Sequence, residues 1–372
     1  MVHLKIVMLT HTYLPKIGGR EIHVSKLSEE LVKRGHKIVI ITSDQGICPI
    51  HPNVQIIKLN EIKLRISSYP ETNYFRVLPM LHRAIAKMDC DVVHMHDLMH
   101  YTTDSMTSFS KILNIPTVLT IHGFKADTKI LGFLVKLYNH TVGNLNFHLA
   151  NRIILPSRSL CKTIPQLKNF KEKLCIIPNG VDLKISRPID SKYPINLLAV
   201  GRLVPRKGFQ YLIEAMPNIL LHHPDTTLNI VGPDGGFGKT LLKTIVDLNL
   251  SGQVRVWGKV SESKLEELYR SSSICINPST WDNVPLTILE ALSWGKPVVA
   301  SDTGGIPEMI KSNYNGMLVQ SKDTNAISEA VITILNNPNT YRNMASNALE
   351  SAKTYSWENI AKCTEKVYEE IL

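Results

Sequence analysis

Short apolar runs alternate with segments of helical periodicity along the whole chain. In the first half the runs are Leu4–Leu9, Lys37–Thr42, Val54–Leu59, Asp91–His96, Thr117–His122, Arg152–Pro156 and Cys175–Pro178. Between the first two, Val24, Leu27 and Leu31 recur at helical spacing across Glu21–Arg34, and Gly35 is placed to end that helix. A second series follows: Ile195–Gly201, Thr227–Gly232, Val254–Gly258, Ser273–Pro278, Pro297–Ser301 and Gly316–Val319. Helical segments such as Gln210–Leu221 and Lys264–Ser271 separate them. Runs rich in Val, Ile and Leu, interleaved with helices, predict parallel strands covered on both faces. Two such series predict an α/β protein of two doubly wound domains, covering 1–185 and 186–354, and 372 residues suit that division. Leu183–Pro194, with two prolines and several charges, reads as the linker. In open α/β sheets ligands bind beyond the carboxyl ends of the strands, so a site is expected there, in a cleft between the domains.

Composition changes this picture little: 44% hydrophobic and 20% charged residues describe an ordinary soluble globular protein. The six cysteines are scattered, with no CxxC pair and no Cys/His cluster at zinc spacing, which favours a reducing, cytosolic compartment. The sequons at Asn139 and Asn249 are then chance matches. The first eleven residues, interrupted by Lys5, do not read as a signal peptide, and no apolar run reaches the roughly 18–20 residues that span a bilayer.

Charge is more telling. Residues 1–185 hold 24 Lys and Arg against 13 Asp and Glu, whereas residues 186–372 hold 18 against 19, so the whole excess of +10 lies in the first half. A basic half suits an anionic partner such as an acidic membrane surface or a lipid-linked phosphate. A dispersed solubilising charge is an equal alternative, because the sequence has no block of consecutive cations. With 6% aromatic residues and no nucleic-acid motif, no nucleic-acid partner is expected.

The candidate chemistry falls at strand ends. After the first strand comes His11 through Gly18, Gly19, Arg20 and Glu21, where paired glycines admit a ligand to the backbone and a helix N-terminus favours an anion. A tight turn with no ligand is the alternative, and the spacing is not GxGxxG. His122, followed by Gly123, closes the fifth strand and can donate to a sugar hydroxyl or a phosphate. His94 and His96 are read as pointing to opposite faces of their strand, one lining a site at most, and not as a metal pair.

In the second half, Gly201-Arg202-Leu-Val-Pro-Arg206-Lys207-Gly208 brings three cations onto a strand-to-helix loop, suited to a pyrophosphate. The loop from Gly232 to Gly238-Lys239-Thr240 imitates a P-loop, but Pro233 stands where that motif needs glycine. The run Pro278 to Pro297 sets Asp282 after a strand, Pro285 at a helix start, Leu286 and Thr287 in the first turn, and Glu290 further along. Two carboxylates and a helix N-terminus can surround one polar ligand. Taken alone, Asp282 could equally cap the helix and Glu290 lie on the surface.

These motifs, with Gly304-Gly305-Ile-Pro-Glu308, occur in the order found in the retaining GT-B glycosyltransferases of family four, which the chain resembles over essentially its whole length. The resemblance implies two Rossmann-like domains facing across a cleft, with 355–372 crossing back onto the first. It implies a UDP- or GDP-sugar as donor substrate, no permanently bound cofactor and no metal. Arg202 and Lys207 would neutralise the departing diphosphate, Leu286 and Thr287 would give backbone N–H groups to phosphate, and Glu290 would hold the ribose. Asp282 stands where the family usually has Glu and would contact the transferred sugar. Gly18 and Gly19 would close over the donor, and His122 would lie near the reacting carbon. The expected activity is transfer of a hexose-type sugar to a hydroxyl acceptor, whether a glycan, a lipid-linked or anionic acceptor or a small molecule, by a cytoplasmic enzyme, with peripheral contact to the membrane through the basic first half. An epimerase on the same fold and a non-catalytic nucleotide-binding subunit are the alternatives.

Overall fold

The computed structural model describes residues 3–15, 18–42, 53–59, 78–123, 129–184 and 195–372. Most of the expected linker, Leu183–Pro194, lies outside them. The chain divides into two compact units, residues 1–180 with Trp357–Leu372 and residues Val181–Ser356.

The first unit holds β1 (Lys5–Thr10), α1 (Gly19–Lys33), β2 (Lys37–Thr42), β3 (Val54–Lys58), α2 (Leu78–Ala86), β4 (Val92–His96), α3 (Tyr101–Ile112) and β5 (Thr117–Thr120). It continues with α4 (Lys129–His140), α5 (Val142–Leu149), β6 (Arg152–Leu155), α6 (Leu160–Thr163) and β7 (Leu174–Ile176). The strands form one parallel sheet in the order β3-β2-β1-β4-β5-β6-β7. Alternate residues of each strand go to opposite layers. Val7 and Leu9 join Val39, Ile41, Val93 and Met95 under α2, α3 and α5, while Ile6 and Met8 join Ile38 and Ile40 under α1. Both faces are therefore apolar, which is why the strands read as unbroken hydrophobic runs.

The second unit holds β8 (Asn196–Val200), α7 (Phe209–His222), β9 (Thr227–Val231), α8 (Gly238–Asp247), β10 (Val254–Gly258), α9 (Glu262–Ser271) and β11 (Ile274–Asn277). It ends with α10 (Leu286–Ser293), β12 (Val298–Ser301), β13 (Gly316–Val319), α11 (Thr324–Leu335) and α12 (Pro338–Thr354). Its parallel sheet runs β10-β9-β8-β11-β12-β13. Leu197, Ala199, Ile230 and Ile276 face one layer, Leu198, Val231, Cys275 and Val298 the other. Each such aliphatic side chain, fully buried, contributes about 1.5–3 kcal/mol.

The last helix, α13 (Trp357–Glu369), belongs to the first unit. Trp357, Ile360, Ala361 and Tyr368 pack with Val24, Leu27 and Leu31 of α1. Glu365 accepts hydrogen bonds from Arg34 and, at 2.9 Å, from His36 Nε2. Burial pushes its carboxyl up, but these two donors outweigh it and hold the group below the usual carboxylate range. Each sheet reverses its strand order once, between β1 and β4 and between β8 and β11. The loops leaving those strands are where an open α/β sheet presents a ligand site.

Candidate functional site

In the second unit three loops are laced together at the carboxyl edge of the sheet. The loop after β8 carries Lys207, whose Nζ forms an ion pair with Asp282 Oδ2 in the loop after β11; both side chains are largely buried. Thr280 N donates to Arg206 O at 2.8 Å, and Thr303 Oγ1 to Thr280 O at 3.2 Å, so the third loop, leading to Glu308, joins the same cluster. Two glycines make this approach possible. A Cβ on Gly208 would lie 1.9 Å from Pro278 O, and one on Gly304 would lie 1.7 Å from Asp282 O. Both adopt positive φ, +72° and +59°. Arg202 and Arg206 are exposed on the same loop as Lys207. Arg202 makes no side-chain hydrogen bond or ion pair among the described residues, so its guanidinium is available to an anion.

Pro285 stands immediately before α10 in extended conformation, so the first helical residues are Leu286 and Thr287. Their N–H groups have no intrahelical acceptor and carry the positive end of the helix dipole. Glu290 is one turn further along. Its Oε2 accepts from Tyr269 Oη at 2.7 Å, and Tyr269 Oη also lies 3.4 Å from Thr287 O. Burial raises the Glu290 carboxyl pKa, and the tyrosine hydrogen bond only partly offsets this. Glu290 is thus neither a plain surface residue nor an ion-paired one. Asp282 pairs with Lys207 and does not cap α10, whose N-cap makes no side-chain hydrogen bond.

The P-loop imitation is closed by its own side chain. Asp234 Oδ1 accepts from the backbone N–H groups of Gly236, Phe237 and Gly238 at 2.8–3.1 Å. These hydrogen bonds hold its carboxyl below the usual range. The start of α8 therefore already holds an anion, and a phosphate there would meet this carboxylate.

In the first unit, Gly18 precedes α1 and Gly19 opens it. Arg20 then reaches across to the end of β4: Nη1 donates to Asp97 Oδ2 at 3.0 Å and meets His100 Nε2 at 2.9 Å, while Nη2 donates to Thr12 Oγ1 at 2.5 Å. Thr12 Oγ1 donates to the buried Glu21. Asp97 Oδ1 accepts from His122 N at 2.9 Å, which ties the end of β5 to the same cluster.

His122 lies beside His23 and His96. The His96 Nδ1 to His122 Nε2 separation is 3.2 Å, and the His23 and His122 ring centroids are 4.8 Å apart. Burial, reinforced by Arg20 and His94, lowers the His122 pKa to about 3, and burial drives His23 and His96 well below their ordinary value. All three rings are neutral at pH 7. The expectation for β4 needs correction here. His94 and His96 share one face, with ring centroids 4.3 Å apart, because residues two apart on a strand point the same way. His94 is spent structurally, between Tyr368 Oη and Thr120 Oγ1, each at 2.7 Å.

Comparison with known proteins gives this geometry a setting. Residues 17–185 match the family model described as Glycosyltransferase Family 4, and residues 184–351 match the one described as Glycosyl transferases group 1. An uncharacterized glycosyltransferase of Methanocaldococcus jannaschii is 30% identical over 98% of both chains. The chain belongs to glycosyltransferase family 4. One subunit of the human phosphatidylinositol N-acetylglucosaminyltransferase is 26% identical to this glycosyltransferase over 98% of its length and 76% of the human chain. Among solved structures, Anabaena HepE in complex with UDP superposes with a TM-score of 0.81 at 19% identity, covering 99% of this chain and all of HepE. A Rickettsia africae glycosyltransferase gives 0.78 at 20%, covering 99% and 98%. The fold is GT-B.

Within this glycosyltransferase the structure brings Lys207, Asp282 and the start of α10 together in one unit, and His122 with the Gly18-Gly19 turn's neighbours in the other. His23 and Tyr269 escaped the sequence reading, whereas Arg20 in the glycine turn and Asp97 beside His96 stood in candidate runs with no partner assigned. His23 left a signal, since it sits four residues before Leu27 and eight before Leu31, a polar residue on an apolar stripe. Tyr269 left none, and the pairing of Arg20 with Asp97 could not be read because it depends on strand order.

Proposed function

We propose that this enzyme transfers a hexose-type sugar, with retention of anomeric configuration, from a UDP- or GDP-sugar to a hydroxyl acceptor. The observation that carries this reading is the Lys207–Asp282 pair lying in the same laced loops as the open N-terminus of α10. Lys207 and Arg202 bind the diphosphate, the Leu286 and Thr287 N–H groups take a phosphate oxygen, and Glu290, steadied by Tyr269, receives the ribose hydroxyls. Donor binding exchanges Asp282 from Lys207 to a hydroxyl of the transferred sugar and frees the ammonium for the phosphate. The leaving diphosphate gains charge as the glycosidic bond breaks, so fixed cations and a helix N-terminus stabilise the transition state more than the bound donor. From the first unit, Gly18 and Gly19 offer backbone N–H groups to the donor, and the neutral His122 contacts the sugar near the reacting carbon. The reaction needs no metal.

HepE, crystallised with UDP and with UDP-glucose, supports a nucleotide-sugar donor. The relative named phosphatidylinositol N-acetylglucosaminyltransferase supports a lipid-linked acceptor. A peripheral position on the cytoplasmic face of a membrane fits the basic first half. It also fits the exposed Phe133, Leu134 and Leu137 of α4 and Leu145 of α5, with Lys136 among them. No helix among the described residues is long and apolar enough to cross a membrane.

The test is a panel of nucleotide sugars with lipid and glycan acceptors, products followed by NMR. Transfer that is lost in Lys207→Ala supports the reading. Epimerised donor without an acceptor would favour an epimerase, and donor binding without turnover would favour a non-catalytic role.

A further inference from the structure

His23, His96 and His122 come from three separate elements, α1, the end of β4 and the end of β5, and each offers one ring nitrogen within 4.8 Å of the other two. A tetrahedral ion with Zn–N bonds of about 2.0–2.1 Å holds its ligand nitrogens about 3.3–3.4 Å apart. His96 Nδ1 and His122 Nε2, at 3.2 Å, already have that spacing. His23 needs to move inward by up to about 1.5 Å. The ring meets His122 and Trp357 edge-on, with centroids 4.8 and 5.5 Å apart, and also hydrogen-bonds Asn179.

A second observation is independent of this spacing. His23 Nδ1 is buried with no hydrogen-bond partner, on a residue only 3% exposed; on His96 the unpartnered nitrogen is Nε2, the one turned away from His122. Buried ring nitrogens are normally satisfied, since an unpaired polar atom costs about 1–3 kcal/mol. One fold thus gathers three imidazoles and leaves His23 Nδ1 without a partner.

We infer that His23, His96 and His122 form a binding site for a divalent transition-metal ion of the Zn²⁺ class, and that occupying it inhibits sugar transfer. Three imidazoles without thiolate or carboxylate suit Zn²⁺, Cu²⁺, Ni²⁺ or Co²⁺ and not Mg²⁺ or Ca²⁺. A water would complete the tetrahedron. Charge keeps the affinity moderate: Arg20 is nearby, and Asp97, the carboxylate beside it, is already shared between Arg20 and His122 N. Such a site exchanges its ion with solution and acts as a brake, compatible with a transferase that works without metal. The inhibitory clause rests on the proposed role of His122; the binding clause does not.

The test uses the full-length protein dialysed against chelator. Co²⁺ titration should give the intense visible ligand-field bands of a tetrahedral site, saturating at one equivalent and bleached by Zn²⁺. His23→Gln and His96→Gln, each checked for native near-UV circular dichroism, should lose the bands. His222→Ala, on exposed α7 surface, should keep them. Absence of bands in the wild type, or equal bands in both glutamine variants, would overturn the site. In parallel, Zn²⁺ at the concentration that saturates the site should lower wild-type transfer at least tenfold, with chelator restoring it. Saturated Co²⁺ bands with undiminished transfer would overturn the inhibitory role and leave the site standing.

Discussion

Replacing Gly208 by alanine separates positioning from strain. The new Cβ would lie 1.9 Å from Pro278 O, whereas real Cβ contacts scarcely fall below 3.0 Å, so the two loops must part by about 1 Å. They are the loops that hold Lys207 against Asp282 and Thr280 against Arg206. A displacement of about 1 Å in a reacting assembly costs on the order of 100-fold in rate. The residue also keeps φ at +72°, which costs a non-glycine residue roughly 1–2 kcal/mol. That strain alone should lower the unfolding midpoint of the second unit by about 2–8 °C. Gly236→Ala is the matched control: φ is +97°, yet no atom lies within 4 Å of its Cβ. Initial rates of nucleoside diphosphate release should fall about 100-fold in Gly208→Ala and stay within about threefold in Gly236→Ala. A Gly208→Ala enzyme as active as the control would refute the argument that these loops must touch.

Two further predictions concern the first unit. Glu365→Ala leaves the Arg34 guanidinium and His36 without their shared carboxylate, a loss of about 3–5 kcal/mol for a broken buried pair, measurable as a lower urea midpoint at unchanged slope. Asp104, partly buried and accepting from Tyr138 and Asn146, has its pKa raised from 3.8 to about 6 by desolvation. The folded state therefore binds the extra proton between about pH 4 and 6, and stability falls as pH rises through that window. Asp104→Asn should remove the slope and be more stable at pH 7 by up to about 3 kcal/mol, converging with wild type below pH 4. Identical pH profiles for the two proteins would count against a carboxyl whose pKa burial has raised.

Much of the fold was legible because strands buried on both faces must be apolar at every position, and the thirteen strands among the described residues fall on the thirteen apolar runs. Motifs local in sequence, such as Pro285 before Leu286, Thr287 and Glu290, were legible for the same reason: helix geometry fixes their spacing. What the sequence hid depends on sheet order. Lys207 and Asp282 are 75 residues apart and meet because β8 neighbours β11. Arg20 meets Asp97 across 77 residues because β1 neighbours β4. The P-loop imitation shows the reverse: a plausible anion cradle is filled by its own Asp234.

The central claim is that the second unit binds a nucleotide sugar through Lys207 and Glu290, and calorimetry tests it most directly. UDP- and GDP-sugars titrated into wild type, Lys207→Ala and Glu290→Gln should show one donor bound by the wild type at a single site. Affinity should drop at least tenfold in each variant, with circular dichroism unchanged. Wild-type protein that binds no nucleotide sugar in the panel, or variants that bind the donor as tightly as the wild type, would contradict the account.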